Sequence, residues 1–325
     1  MPFLSPLPRP LGFVCGVALM IVAAACGTTP APPAGQAASA KGAPRVALVM
    51  KSLANEFFVT MAEGAKAHQA ASHGAYTLLV NGIRNESDLS QQVALVEQMM
   101  AQGIDAIVIA PADSRALVPV LAKAQRQKIV VVNIDNKLDD ATLTQAGIDI
   151  PFVGPDNRAG ARAVGLALAP KLPRGSKIAI LEGIPTAFNA QQRRLGFEDA
   201  MREAGMTVVS VQSAHWEQDE ANTIAAALLR EHPDLAAILA SNDNMALGAA
   251  AAVRQASRVG SVAVAGFDNI AAVQQLLKEG RIAATADQHG DKLAVYGIEY
   301  ALAILNGETA PQDRQTPVDV IAAPK

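Results

Sequence analysis

The sequence predicts an α/β protein built as two similar doubly wound parallel-sheet lobes in tandem, with a ligand cleft between them. Three observations predict this. Continuous apolar runs recur about every 25 to 30 residues, the length of a βα unit, with helical stretches between them. The rhythm runs through four strands, breaks, and starts again. In each half one run ends in a short polar switch: Val131-Val132-Asn133-Ile134-Asp135-Asn136, and Val262-Ala263-Val264-Ala265-Gly266-Phe267-Asp268-Asn269. Apolar strands joined by helices form parallel sheets covered on both faces. Ligands of such sheets sit beyond the carboxyl ends of the strands.

In chain order, residues 11–25 are nearly all apolar or small, a stretch too short to span a bilayer comfortably. Arg9 precedes it and Ala23-Ala24-Ala25 closes it, so residues 1–26 read as a signal peptide, with an uncleaved anchor as the alternative. The junction Ala23-Ala24-Ala25-Cys26-Gly27 resembles a bacterial lipoprotein signal, which implies lipid on Cys26. It departs from that pattern at Ala23, where a larger aliphatic is usual, and ordinary secretion is the other reading. Cys15 and Cys26 are the only cysteines, so no disulfide is expected once the leader is removed. Residues 27–44 are rich in Pro, Ala and Gly and read as a disordered tether.

Strands are expected at residues 46–50, 76–81, 106–110 and 129–134, with helices over 57–72 and 89–102. The second series is 177–181, 207–211, 236–240 and 261–265, followed by a short run at 282–286. The stretch 154–160 is glycine-flanked and reads as a crossover between lobes with a helix cap. The expected division is 45–154 with 289–315 in the first lobe, and 155–288 with 316–325 in the second.

Composition narrows the function. Of 325 residues 50% are hydrophobic and 18% charged, which describes a globular protein with a large core. A net charge of −3 leaves no basic footprint for nucleic acid and suits a neutral ligand. No G-x-G-x-x-G follows a strand, and neither a phosphate loop nor a G-x-S-x-G elbow is present. His68, His73, His215, His232 and His289 lack metal-ligand spacing, so no cofactor or metal is expected.

On the predicted frame the polar and aromatic residues converge on one rim of the sheets. Asn55, Phe57 and Phe58 follow the first strand, and Asp135 and Asn136 the fourth. Arg193, Trp216, Asn242, Asp268 and Gln288 follow successive strands of the second series. Carboxylates accept hydrogen bonds, Arg donates them, and Asn does both. Flat rings meet the C–H faces of a sugar. Aromatics are only 4% of the chain, yet three of them fall on this rim. Plainer roles exist for each: core packing for the phenylalanines, lid packing for Trp216, and helix capping for Asp135 and Asp268. Asn242 is expected to touch ligand, with Asp243 or Asn244 capping the helix near Met245. Of the adjacent Arg193 and Arg194, one is expected to point inward.

These residues resemble the ribose-binding group of periplasmic binding proteins, the receptors of sugar ABC transporters. The resemblance rests on Asn55-Glu56-Phe57-Phe58, Ala110-Pro111-Ala112-Asp113-Ser114, Asn133-Ile134-Asp135, Ser241-Asn242-Asp243-Asn244-Met245-Ala246-Leu247-Gly248 and Gly266-Phe267-Asp268, in matching order from about Arg45 to Lys325. It implies lobes joined by three crossover strands, and ligand contacts from the rim residues above. It further implies a small neutral sugar or sugar alcohol as ligand, hinge closure, and an ABC permease as partner, with a chemoreceptor or sensor kinase as the alternative. A monomer that meets the membrane only through its lipid is expected. Ala110 stands where ribose receptors carry asparagine, and Asn136 where they carry arginine. Loss of those two donors argues against ribose and makes a pentose isomer or another small polyol an equal candidate. Two rivals share the architecture: a repressor, which needs a helix-turn-helix head absent here, and a glycoside-processing enzyme using two cleft carboxylates.

Overall fold

The computed structural model describes residues 42–308 and 312–323. The expected signal peptide, Cys26 and almost all of the tether lie outside the described residues.

The first strands and helices are β1 (Arg45–Ser52), α1 (Glu56–Ala71), β2 (Thr77–Ile83), α2 (Leu89–Ala101), β3 (Ala106–Ile109), α3 (Val118–Arg126), β4 (Val130–Ile134), α4 (Asp140–Ala146) and β5 (Phe152–Pro155). The second series is α5 (Asn157–Leu168), β6 (Lys177–Glu182), α6 (Phe188–Glu203), β7 (Thr207–Ser213), α7 (Gln218–Glu231), β8 (Leu235–Ala240), α8 (Asp243–Gln255), β9 (Ala263–Ala265), α9 (Ala271–Lys278) and β10 (Ala284–Asp287). The chain ends with α10 (Gly290–Leu305), β11 (Arg314–Thr316) and β12 (Asp319–Ala322).

Two six-stranded sheets result, ordered β11-β5-β4-β3-β1-β2 and β12-β10-β9-β8-β6-β7. Every pairing is parallel except β10 with β12, because the chain reaches β12 directly from β11 and runs back along the edge. The chain passes between the sheets after β5, after β10 and after β11.

Alternation builds the cores. In β1, Val46, Leu48 and Met50 face one side while Ala47 and Val49 face the other, all fully buried. The first set packs with Val108, Val132 and Ile134 and with residues of α1 and α10. The second packs with Ile107, Ile109 and residues of α2 and α3. Burial on both faces is why the strands read as unbroken apolar runs. In the second sheet Ile178 and Ile180 face Phe197 and Met201 of α6, and Ala179 and Leu181 belong to the opposite side.

Helix starts are written into the sequence unevenly. Asn55, Asp88, Asp139, Asp156 and Asn242 cap α1, α2, α4, α5 and α8 by accepting an amide hydrogen bond. The N-cap positions of α6 and α9 are Ala187 and Ile270, which supply no capping side chain. Gly42–Lys325 forms one compact unit. Among the described residues no helix is long and apolar enough to cross a membrane.

Candidate functional site

The carboxyl ends of both sheets face a common cleft with about 240 Å³ of space free of protein atoms, part of it open to solvent. The first lobe lines it with Lys51, Asn55, Phe57, Phe58, Glu86 and Asp135, and the second with Asn189, Arg193, Trp216, Asn242, Asp268 and Gln288. The cleft is small and lined mainly by polar and aromatic side chains, which suits a compact polar ligand.

Each lining group is held by the fold. The Asn55 carbonyl accepts from Phe57 N–H at 3.0 Å, while its amide donates to Glu86 Oε1 at 3.2 Å. Phe57 and Phe58 meet edge to face, 5.2 Å between centroids. Lys51 is buried near the end of β1, with Nζ 3.0 Å from Asp135 Oδ2 and 5.5 Å from the centroid of the Trp216 ring. In the second lobe Arg193 is 2% exposed and fully committed. It donates to Asn157 Oδ1 at 2.7 Å, to the Ser241 carbonyl at 2.9 Å and to Gln288 Oε1 at 3.3 Å. Its Nη1 lies 3.5 Å from Asp268 Oδ1, and its guanidinium stacks 3.8 Å from the Phe267 ring centroid. Gln288 returns a 2.6 Å bond to Asp268.

Asp135, Trp216 and Asp268 hold left-handed φ angles of 62°, 72° and 128°, which non-glycine residues rarely adopt. Such outliers persist where the surroundings over-determine them. Here they turn three side chains from strand tips into one cleft. Neither aspartate caps a helix. Asn242, not its neighbours, caps α8 through Met245 N–H, and its amide donates to the Trp216 carbonyl. Asp243 is fully buried beneath, accepting from Thr285 Oγ1 and Ile270 N–H. Arg193 points inward while Arg194 is half-exposed beside Glu182 and Glu198.

Asn136 departs from expectation. It is fully buried but does not line the cavity. Its amide donates to the Pro111 carbonyl, and its side-chain oxygen accepts from Ser114 Oγ at 3.3 Å and from Asn189 N–H at 3.2 Å. The left-handed turn at Asp135 sends successive side chains to different places. The sequence reading missed Lys51, Glu86 and Asn189. A lysine directly after the apolar run 46–50 was a usable signal for Lys51, whereas Glu86 sits in a polar loop that nothing distinguishes.

Electrostatically the closed cleft is a costly place for charge. Burial pushes Glu86 up to about 7, against the pull of Lys51 and Asn55. Burial likewise raises Asp243 to about 7 and Asp268 well above the carboxylate range, and it lowers Arg193. Desolvation outweighs the ion pair, so the site gains from polar partners. Three buried atoms on lining residues lack any partner among the described residues: Glu86 Oε2, Asn189 Oδ1 and Trp216 Nε1. Among the same residues no cluster could hold a metal.

A family model described as periplasmic binding protein domain matches residues 46–309. The chain belongs to the periplasmic binding protein family. Among its relatives is the D-ribose/D-allose-binding protein of Pseudomonas aeruginosa, 55% identical over 285 residues, covering 86% of this chain and 89% of that one. A solved solute-binding protein of an ABC transporter from Burkholderia multivorans, with an unknown ligand represented as α-D-erythrofuranose, is 53% identical with a TM-score of 0.85, covering 87% of this chain and all of the other. Another, from Actinobacillus succinogenes with bound D-allose, is 34% identical with a TM-score of 0.81, covering 86% and 98%. Members of this periplasmic binding protein family are receptors rather than enzymes, and the two-lobed fold is theirs.

Proposed function

We propose that this protein captures one small sugar between its lobes and presents it, cleft closed, to an ABC importer. The observation that carries the proposal is the set of unpartnered buried atoms on the cleft lining, two acceptors and one indole N–H. An unsatisfied buried polar group costs about 1–3 kcal/mol. A ligand bearing hydroxyls, each both donor and acceptor, relieves all three, while Phe57, Phe58 and Trp216 meet its C–H faces.

Lining groups come from both lobes, so a bound ring bridges them and favours the closed form. The names of the relatives support an aldose of pentose to hexose size, with D-allose first and D-ribose second. Two features of the lining keep ribose a candidate. Asn136 is not a lining residue, and Lys51 brings a cationic donor beside Asp135. Attachment through lipid at Cys26 and action as a monomer remain part of the reading, supported by the leader sequence and by a cleft completed within one chain. Calorimetric titration with D-allose, D-ribose, D-glucose, D-galactose and myo-inositol tests it. Saturable one-to-one binding of an aldose is expected. Absence of binding by every member of the panel to folded protein contradicts it.

A further inference from the structure

Three helices of the second lobe, α6, α7 and α9, begin without a capping side chain of their own, and for α6 and α9 the first lobe supplies what they lack. At the start of α6, Phe188 N–H donates to Ser114 Oγ at 2.9 Å and Asn189 N–H to the Asn136 side-chain oxygen at 3.2 Å. At the start of α9, Ala271 N–H donates to Glu56 Oε1 at 2.8 Å. Every other interlobe feature described above lines the cavity; these three acceptors do not.

We propose that Ser114, Asn136 and Glu56 form closure latches, caps built on one lobe for helices of the other. The proposal rests on the hinge-closure reading above and extends it to residues that never touch sugar. The first amide groups of a helix have no partner within it. In α1, α2, α4, α5 and α8 an Asn or Asp of the same lobe meets that need whatever the hinge does. In α6 and α9 the caps are made only when the lobes meet. The α6 latch is also braced in advance. Ser114 Oγ donates to the Asn136 side-chain oxygen, the Asn136 amide is tied to the Pro111 carbonyl, and Asn133 Nδ2 donates to the Asn136 carbonyl at 2.8 Å. Little ordering is left to be done on closing. Glu56 adds a carboxylate at the positive end of α9. These positioning residues bias the hinge toward the closed form, and they raise affinity by slowing release.

The test uses Ser114→Ala, Glu56→Ala and their double variant in the protein from Gly27 onward, which holds the compact unit. Spin labels on Ser90→Cys and Asp219→Cys, exposed residues of α2 and α7, report lobe separation by electron–electron resonance. A cap is worth a change of about 2- to 30-fold in an equilibrium. The double variant is expected to lose sugar affinity by at least the single-cap amount through faster dissociation. Its sugar-free distances should shift toward the open form, with its sugar-free melting temperature unchanged. Equal dissociation constants and equal distance distributions in variant and wild type overturn the latches, as does an affinity loss matched by an equal loss of sugar-free stability. Should no sugar bind the wild type, the sugar reading fails, and the sugar-free distances alone decide the latch.

Discussion

Gly183 follows β6 directly beneath the indole of Trp216, and a methyl group there would fall inside the ring. Ordinary carbon contacts lie about 3.5–4.0 Å apart, so in Gly183→Ala the ring must retreat by on the order of 1 Å. It is fixed behind by β6 and at its backbone by the bond from Asn242 Nδ2 to the Trp216 carbonyl. Its free direction is the cleft, where Lys51 and Arg193 sit 5.5 and 5.7 Å from its centroid. Overpacking costs about 1–3 kcal/mol where no relief exists. Here the ring can move into the cleft in sugar-free protein, whereas a bound sugar would block that movement. The expected result is a melting temperature within a few degrees of wild type and an aldose affinity weakened roughly 5- to 150-fold, the same free energy expressed in binding. Calorimetric titration with D-allose and a thermal melt measure both. A folded variant with affinity within twofold of wild type refutes the placing of the indole against the sugar.

Other outcomes follow from the same geometry. Arg193→Leu leaves Asp268 buried without its cation and should cost about 3–5 kcal/mol, abolishing calorimetric binding of the whole panel; Arg193→Lys should not restore it, because one ammonium cannot reach Asn157, Ser241 and Gln288 together. Glu86 is an acid whose pKa burial raises from 4.5 to about 7, so the closed fold keeps its full stability below pH 4.5 and loses it as pH climbs through 7. At roughly 1.4 kcal/mol per unit this amounts to about 3 kcal/mol. Melts between pH 4 and 8 should show Glu86→Gln missing that decline, and parallel wild-type and variant curves refute it. Asp156→Ala removes the cap of α5 and should lower stability by about 1 kcal/mol in denaturant titration.

The fold was legible where strands are buried on both faces. Residues 46–50 and 106–109 are fully buried, and apolar runs of that kind occur in few other settings. The strands that escaped are β5, which closes in Gly-Pro, and the edge strands β11 and β12, which are largely exposed. Their identity comes from pairing with distant segments, which local pattern does not carry. At the site, Asp135 and Asp268 stood out because a carboxylate just beyond an apolar strand has few other uses, while Arg193, within α6, stood out by following β6 on the same rim. The reversal at Asn136 depends on the left-handed backbone of Asp135, a conformation with no local sequence signature in a non-glycine residue. Glu86 joins the cleft through its bond with Asn55, 31 positions away, and only the folded chain brings them together.

The central claim is that one sugar fills the space between the lobes, and Trp216 tests it most directly, being the only tryptophan in the chain and 3% exposed on the cleft lining. Its emission should change saturably on titration with an aldose, at the stoichiometry found by calorimetry, and the response should vanish in Trp216→Phe while binding persists in weakened form. Binding seen by calorimetry with no change in Trp216 emission would contradict the account, because it would put the sugar somewhere other than this cleft.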